Sequence, residues 1–419
     1  DEDNQLDLAF LCTRGLLPPQ ENLYLVGGSP SPEAARRFAR LGIRWVEASR
    51  APAYLSWSDR LRAAFSVLRL AAASLGPFSA AFSTAHRLAV QAASWAQLAR
   101  QLKPDSFITT ISISWPESAA IAAMNAFGVR TGIWFFSANC FKFSSRWPEF
   151  RDVDVGLSVV SAREMFVWNE IVEKRYVDAR RVEPGRQVCV QTGPQMCGDS
   201  RWLSRSPAEA RRVYGIAAKP GDCFVAAFDL LPYIREARLR HGHGPSPYTP
   251  EVSERFYEDL QAALERFPSL RLLIKSKQRT LSRGEVYIPE ALKRLTDPAG
   301  RFVTEGRIIA IPPSADPYIA VALAELCLGL PFTSPVLAAW MSGRAGLYHD
   351  PLGMVGYTSL PEYEPCLSRS REQLIARRDA WISRGEPLAA PPERLIPRVD
   401  PAEEFVRLIK GPPAARGHK

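Results

Sequence analysis

The feature that most constrains this chain is an alternation. From Asn22 onward, short apolar runs of strand length take turns with stretches of helical length and pattern. Parallel strands cannot be joined by a tight turn, so each pair needs a crossover, and a helix is the usual one. The alternation therefore predicts βαβ units, with parallel sheets covered by helices on both faces. NLYLVGG (22–28) and IRWVEA (43–48) read as strands, and PEAARRFARLG (32–42) between them reads as a helix with Pro32 at its start and Gly42 at its end. Helices over 58–73 and 84–102 follow, then the strand SFITTISIS (106–114), a helix from Pro116, and the strand TGIWFF (131–136). DVGLSVVS (154–161) and QVCVQTGP (187–194) read as later strands of the same sheet.

A second series begins at DCFVAAFDL (222–230) and runs through a helix (252–267), the strand LRLLIKSK (270–277) and the strand RIIAIPP (307–313). It continues with a helix over 316–322, the strand ELCLGL (325–330), a helix over 334–341 and the strand AGLYHD (345–350). At roughly 100–200 residues per domain, 419 residues suit two domains. The expected fold class is α/β, with two Rossmann-type domains whose parallel sheets face a central cleft, where such folds bind ligands. The boundaries read as 1–200, 201–385 and a Pro-rich C-terminal extension over 386–419 that is partly disordered.

Composition narrows the function. Hydrophobic residues at 46% and charged residues at 23% exclude wholesale disorder. No run reaches the ~18–20 apolar residues of a spanning helix, since even the Ala-rich 63–99 segment carries Arg69, His86 and Arg87. The acidic start Asp1-Glu2-Asp3 is unlike the basic start of a signal peptide, so a cytoplasmic location is expected. Seven cysteines without a CxxC pair, and five histidines of which only His241 and His243 are close, suggest neither a disulfide framework nor a metal site. The net charge of +9 favours anionic partners: nucleotides, phosphorylated glycolipids, or the anionic inner membrane contacted peripherally. Scattered arginines with no accompanying motif argue against nucleic acid.

The chemistry should sit where strands end. Asp229 closes the apolar run FVAAFDL, where an ionised carboxylate is costly unless it reaches a cleft or a partner; a turn cap is the bland reading. LLIKSKQR delivers Lys275, Ser276 and Lys277 into the next loop, which suits a phosphate and equally suits a solvated basic turn. Pro312 and Pro313 in IPPSADPY either leave backbone groups to meet a nucleobase or simply stop the strand. Thr333 and Ser334 fall at the start of the helix after ELCLGL, where hydroxyls, amides and the helix dipole make a phosphate site or merely a cap. In the first half, Glu117 in SISWPESAA stands in the first helical turn, which favours the dipole and would also point into a cleft. Ser137 and Asn139 follow TGIWFF as sugar contacts, and Trp115 or Trp134 could stack on a sugar; each is also a common packing residue.

The run PFTSP (331–335), the small-residue helix after it and YHDPLG resemble the defining motif of the bacterial polysaccharide biosynthesis PFTS motif proteins. The spacing over 222–353 is also similar to that of CMP-sugar-using GT-B glycosyltransferases, including sialyltransferases and Kdo transferases. The resemblance implies a GT-B-like fold and a transferase of surface polysaccharide synthesis (O-antigen or capsule), with Kdo from CMP-β-Kdo as donor. The position of Asp229 is similar to that of the nucleophile in family-99 retaining β-Kdo transferases, which implies retention through a covalent Asp adduct. The Pro-Glu context of Glu117 resembles a motif of another Kdo-transferase family and gives Glu117 a proton-transfer role. Lys275, Ser276, Lys277, Pro312, Thr333 and Ser334 become the nucleotide and phosphate contacts, although Lys-Ser stands where sialyltransferase-like enzymes carry His-Pro. The implied partners are the nucleotide-sugar donor, a lipid-linked or oligosaccharide acceptor and other glycosyltransferase modules, with no cofactor or metal. A sialyltransferase or UDP-sugar transferase is the alternative on the same scaffold; a nucleotide-sugar epimerase or a non-catalytic binding module is the alternative of another class.

Overall fold

The computed structural model describes residues 10–26, 32–47, 58, 61, 65, 80–110, 115–135, 144–145, 161–168, 173, 187–193, 203–229, 232, 234, 236, 248–275, 286–312, 315–331, 333–357, 361–384, 388 and 399–411. The chain divides into two compact units. One takes Glu2–Phe136, Asp154–Asp199 and Pro397–Lys419; the other takes Ser137–Val153 and Ser200–Ile396.

In the first unit, β1 (Leu23–Val26), α1 (Pro32–Leu41) and β2 (Arg44–Glu47) form a parallel βαβ pair. Then come α2 (Ala80–Leu102), β3 (Ser106–Thr109), α3 (Trp115–Ala126), β4 (Arg130–Trp134), β5 (Glu164–Val167) and β6 (Val188–Gln191). The last four strands make a parallel sheet in the order β3-β4-β5-β6. The strand expected over 154–161 falls on residues outside those described, apart from Ser161. The structure has β5 at 164–167, where Glu164 is buried and bidentate with Arg130 at 2.6 and 3.0 Å. That pairing lets a carboxylate stand in a fully buried strand.

The second unit opens with α4 (Pro207–Tyr214), where Ser206 caps the Glu209 amide, Pro207 takes the first helical position and Gly215 closes the end at φ 78°. β7 (Cys223–Phe228), α5 (Pro250–Arg266), β8 (Leu270–Lys275), β9 (Ile308–Ala310), α6 (Pro317–Leu323), β10 (Leu326–Gly329), α7 (Ser334–Met341), β11 (Ala345–His349), β12 (Leu367–Ser368) and α8 (Arg371–Arg384) follow. β7, β8 and β10 are buried at every position, as a parallel sheet covered on both faces requires. Val252, Phe256, Leu260, Ala263 and Leu264 of α5 pack on one side of this core with Leu272, Ile274 and Leu328. Thr249 caps α5 on the Val252 amide, with Pro250 next, so the sequence sets the start of this helix locally. Cys327 lies in the same sheet, and burial pushes its thiol up to about 12, which makes it inert packing.

The six strands are all parallel, in the order β9-β8-β7-β10-β11-β12. Numbered from β7 in chain order this is 3-2-1-4-5-6, the doubly wound order, and the direction of winding reverses between β7 and β10. Both units are thus α/β with parallel sheets, the fold class expected.

The chain then departs from the expected surface extension after 386. α9 (Pro401–Lys410), capped by Asp400, packs Phe405 into the first unit against Trp134, at a 4.0 Å ring separation, and against Phe166 at 5.1 Å. The Trp134 side chain is therefore core, not a sugar platform, and its indole donates to the Gly193 carbonyl at 3.2 Å. Disorder was expected of the last residues, and those from 412 on lie outside the described residues.

Candidate functional site

Registers across the second sheet bring one row of residues together at the C-terminal ends of the strands. Lys275 of β8 lies opposite Phe228 of β7, Phe228 opposite Gly329 of β10, and Gly329 opposite Tyr348 of β11. With neighbouring strands ~4.8 Å apart, this row spans the winding reversal, and Asp229 and the Pro331 to Thr333 turn start one or two residues beyond it. In open parallel sheets the crevice at such a reversal is where ligands bind.

Asp229 is buried at 5% exposure, and its Oδ2 accepts a 2.6 Å hydrogen bond from the Tyr257 hydroxyl of α5. Lys275 is buried at 5% exposure on the next strand. Burial pushes its ammonium below the usual lysine range, and Asp316 and then Asp229 pull it back up. Asp316 caps α6 on the Tyr318 amide at 2.8 Å, in the loop that follows β9, where the Ile311 amide bonds the Ile274 carbonyl at 2.9 Å. Lys275 itself is thus a buried cation, while Ser276 and Lys277 of the same run lie outside the described residues.

The turn after β10 is tightly built. Thr333 occupies the cap position of α7, but its hydroxyl donates to the Leu330 carbonyl at 2.9 Å and does not cap the helix. The Tyr248 hydroxyl donates to the Pro331 carbonyl at 2.7 Å and the Tyr348 hydroxyl to the Thr333 carbonyl at 3.3 Å. Burial, with Asp350 nearby, pushes the Tyr248 phenol up, so it stays protonated and able to donate. Ser334 is the first helical residue, so the amides of α7 and its positive end face the reversal. Gly329 makes the turn possible: a Cβ there would overlap the Thr333 Oγ1 and come within 3.0 Å of a Val336 methyl carbon. Gly329→Ala is expected to cost about 1–3 kcal/mol through overpacking, read by urea unfolding. Adding Thr333→Ala should recover part of it, and a Gly329→Ala protein as stable as wild type would show that close approach is not what requires glycine.

One flank of the site is anchored by a network that sequence reading missed. The fully buried His349 ring contacts Asp259 Oδ2 at 2.9 Å through Nε2 and Ser368 Oγ at 2.8 Å through Nδ1. Asp259 Oδ1 accepts from Arg371 Nε at 2.6 Å and lies 3.4 Å from Arg255 Nε. Asp259 and Tyr257 share one turn of α5, so the network sets the orientation of the helix that carries the Asp229 partner.

The other expected site residues are described only in part. Pro312 is exposed, and its carbonyl accepts from the Ala315 amide at 2.9 Å. Glu117 belongs to the first turn of α3, and its side chain, like Trp115, is outside the description. Ser276, Lys277, Ser137 and Asn139 lie outside the described residues. Among the described residues no group of three or more His, Cys, Asp or Glu is placed to hold a metal ion, and no helix is long and apolar enough to cross a membrane.

The family of polysaccharide biosynthesis PFTS motif proteins matches residues 70–375. No curated protein matches the sequence. Among solved structures, the UDP-GlcNAc 2-epimerase of Neisseria meningitidis bound to UDP-GlcNAc is similar over 98% of this chain and 97% of its own, at 10% identity and a TM-score of 0.55. The Staphylococcus aureus MnaA in complex with UDP is similar over 77% and 76%, at 13% identity and a TM-score of 0.46. The wall teichoic acid polymerase TagF soaked with CDPG is similar over 73% and 71%, at 9% identity and a TM-score of 0.43. At 10% identity the likeness to the Neisseria meningitidis enzyme shows the fold alone, the two-Rossmann GT-B type.

Proposed function

The chain belongs to the polysaccharide biosynthesis PFTS motif family, and from that premise we propose that it is a glycosyltransferase taking its sugar from a nucleotide-activated donor. The donor binds at the winding reversal of the second unit. The reading is carried by one observation: Asp229, Lys275 and the PFTS turn, from three different strand ends, flank that reversal. A nucleotide phosphate there meets the first-turn amides of α7 and the Lys275 ammonium, both able to stabilise it as it leaves.

The finer reading is transfer of Kdo from CMP-Kdo with retention. The Asp229 carboxylate attacks the anomeric carbon, and the bond from that carbon to the phosphate oxygen breaks, its electrons leaving with CMP. An acceptor hydroxyl, on a lipid-linked or oligosaccharide chain, then attacks the same carbon and releases the carboxylate. Its proton passes to a base, the role given to Glu117.

Lys275→Ala tests the phosphate assignment. CMP binding, measured by calorimetry, is expected to weaken about tenfold or more, since a charge-assisted contact is lost. Unchanged affinity in a folded variant would reject it. Epimerisation uses the same fold, so nuclear magnetic resonance of product mixtures decides between the classes. Transfer from CMP-Kdo to an acceptor supports the reading, and conversion of UDP-GlcNAc to its 2-epimer without acceptor overturns it.

A further inference from the structure

We propose that Tyr257 is a positioning residue for the transfer reaction, holding the Asp229 carboxylate in its attacking orientation through the 2.6 Å hydrogen bond to Oδ2. The proposal rests on Asp229 being the nucleophile. A carboxylate at a strand end can rotate about two side-chain bonds, and rotation moves the attacking oxygen by more than near-attack geometry tolerates. With Oδ2 held by a phenol, the plane of the carboxylate is set and the second oxygen has one direction.

Tyr257 is itself immobilised. It is 1% exposed, its ring meets Phe256 edge to face at 5.5 Å, and it stands within the apolar core that includes Leu272, Ile274 and Leu328. Two residues along, Asp259 ties the same turn of α5 to His349 of β11, Ser368 of β12 and Arg371 of α8. Helix rotation, which would carry the phenol away from Asp229, has to break this buried network, and leaving Asp259 without its cations is costly. The Asp229 carboxylate thus meets a phenol from α5, and Lys275 of β8 stands opposite its chain neighbour Phe228. The phenol fixes the geometry.

The test pairs Tyr257→Phe, which removes one oxygen and keeps the ring, with Asp229→Asn. The substrate is whichever CMP- or UDP-sugar the wild-type chain consumes. For Tyr257→Phe, kcat is expected to fall about tenfold or more, with KM for the donor within about twofold. Calorimetry should still find full nucleotide-binding stoichiometry, which separates misaligned enzyme from unfolded enzyme. In the Asp229→Asn background, Tyr257→Phe should change the residual rate no further, because there is no nucleophile left to hold. A Tyr257→Phe enzyme with normal kcat, or one altered only in KM, overturns the positioning role while an inactive Asp229→Asn leaves the transferase reading standing. A fully active Asp229→Asn, or a wild-type chain that consumes no nucleotide sugar, overturns both.

Discussion

Replacing Asp229 by Asn is expected to leave the protein folded while sugar transfer falls on the order of a thousandfold or more, the scale seen when a covalent nucleophile is removed. The substitution nearly preserves shape, and the amide oxygen can still accept from the Tyr257 hydroxyl, so the core around α5 has no reason to rearrange. What is lost is the negative charge that must bond to the anomeric carbon. Nucleotide affinity should change little or rise, because a carboxylate near the phosphate has been neutralised. Mass spectrometry of wild-type enzyme given donor alone should place a sugar on the peptide containing Asp229, and the Asn variant should carry none. A fully active Asn variant rejects the role; an inactive variant whose wild-type parent never forms the adduct makes Asp229 a general base and implies inversion.

Asp229 was legible because it breaks a local rule: a carboxylate closing an apolar strand is costly, and the cost points to a partner or a site. The partner was not legible. Tyr257 sits among VSERFYEDLQAALER, where its spacing from Val252 and Leu260 marks the buried face, and periodicity reads a buried tyrosine as packing. Asp259 was hidden for the converse reason, since a charged residue in a helix rich in Glu and Arg looks solvated, and only the strand pairing that brings His349 and Ser368 alongside shows that it is buried. The alternation of elements is a local signal, so the two α/β series could be read directly. The winding reversal depends on which distant strands pair, and local pattern carries no trace of it. β5 went unread for a related reason: Glu164 and Met165 do not look like a core strand until Arg130, on β4, supplies the ion pair.

The tail was misread although its signal was present. Asp400-Pro401 is a cap followed by Pro at the first helical position, and Phe405, Val406 and Ile409 recur at helical spacing. The physical consequence is a prediction about the first unit. Phe405 is 1% exposed, stacked on Trp134 with ring planes 13° apart and meeting Phe166 edge to face, and Arg130 donates to the Ile409 and Gly411 carbonyls at 3.0 and 2.9 Å. Phe405→Ala is expected to cost about 3–5 kcal/mol, because it removes a large buried ring from a site bounded by two rigid aromatics that cannot close the cavity. Phe405→Leu should cost less, since most of the volume stays. A chain of two units need not melt in one step, so scanning calorimetry is the measurement: the transition of the first unit should move down while CMP still raises that of the second. A Phe405→Ala protein that melts like wild type would mean that α9 rests on the first unit without completing its core. A fall in both transitions would mean that the two units do not melt independently.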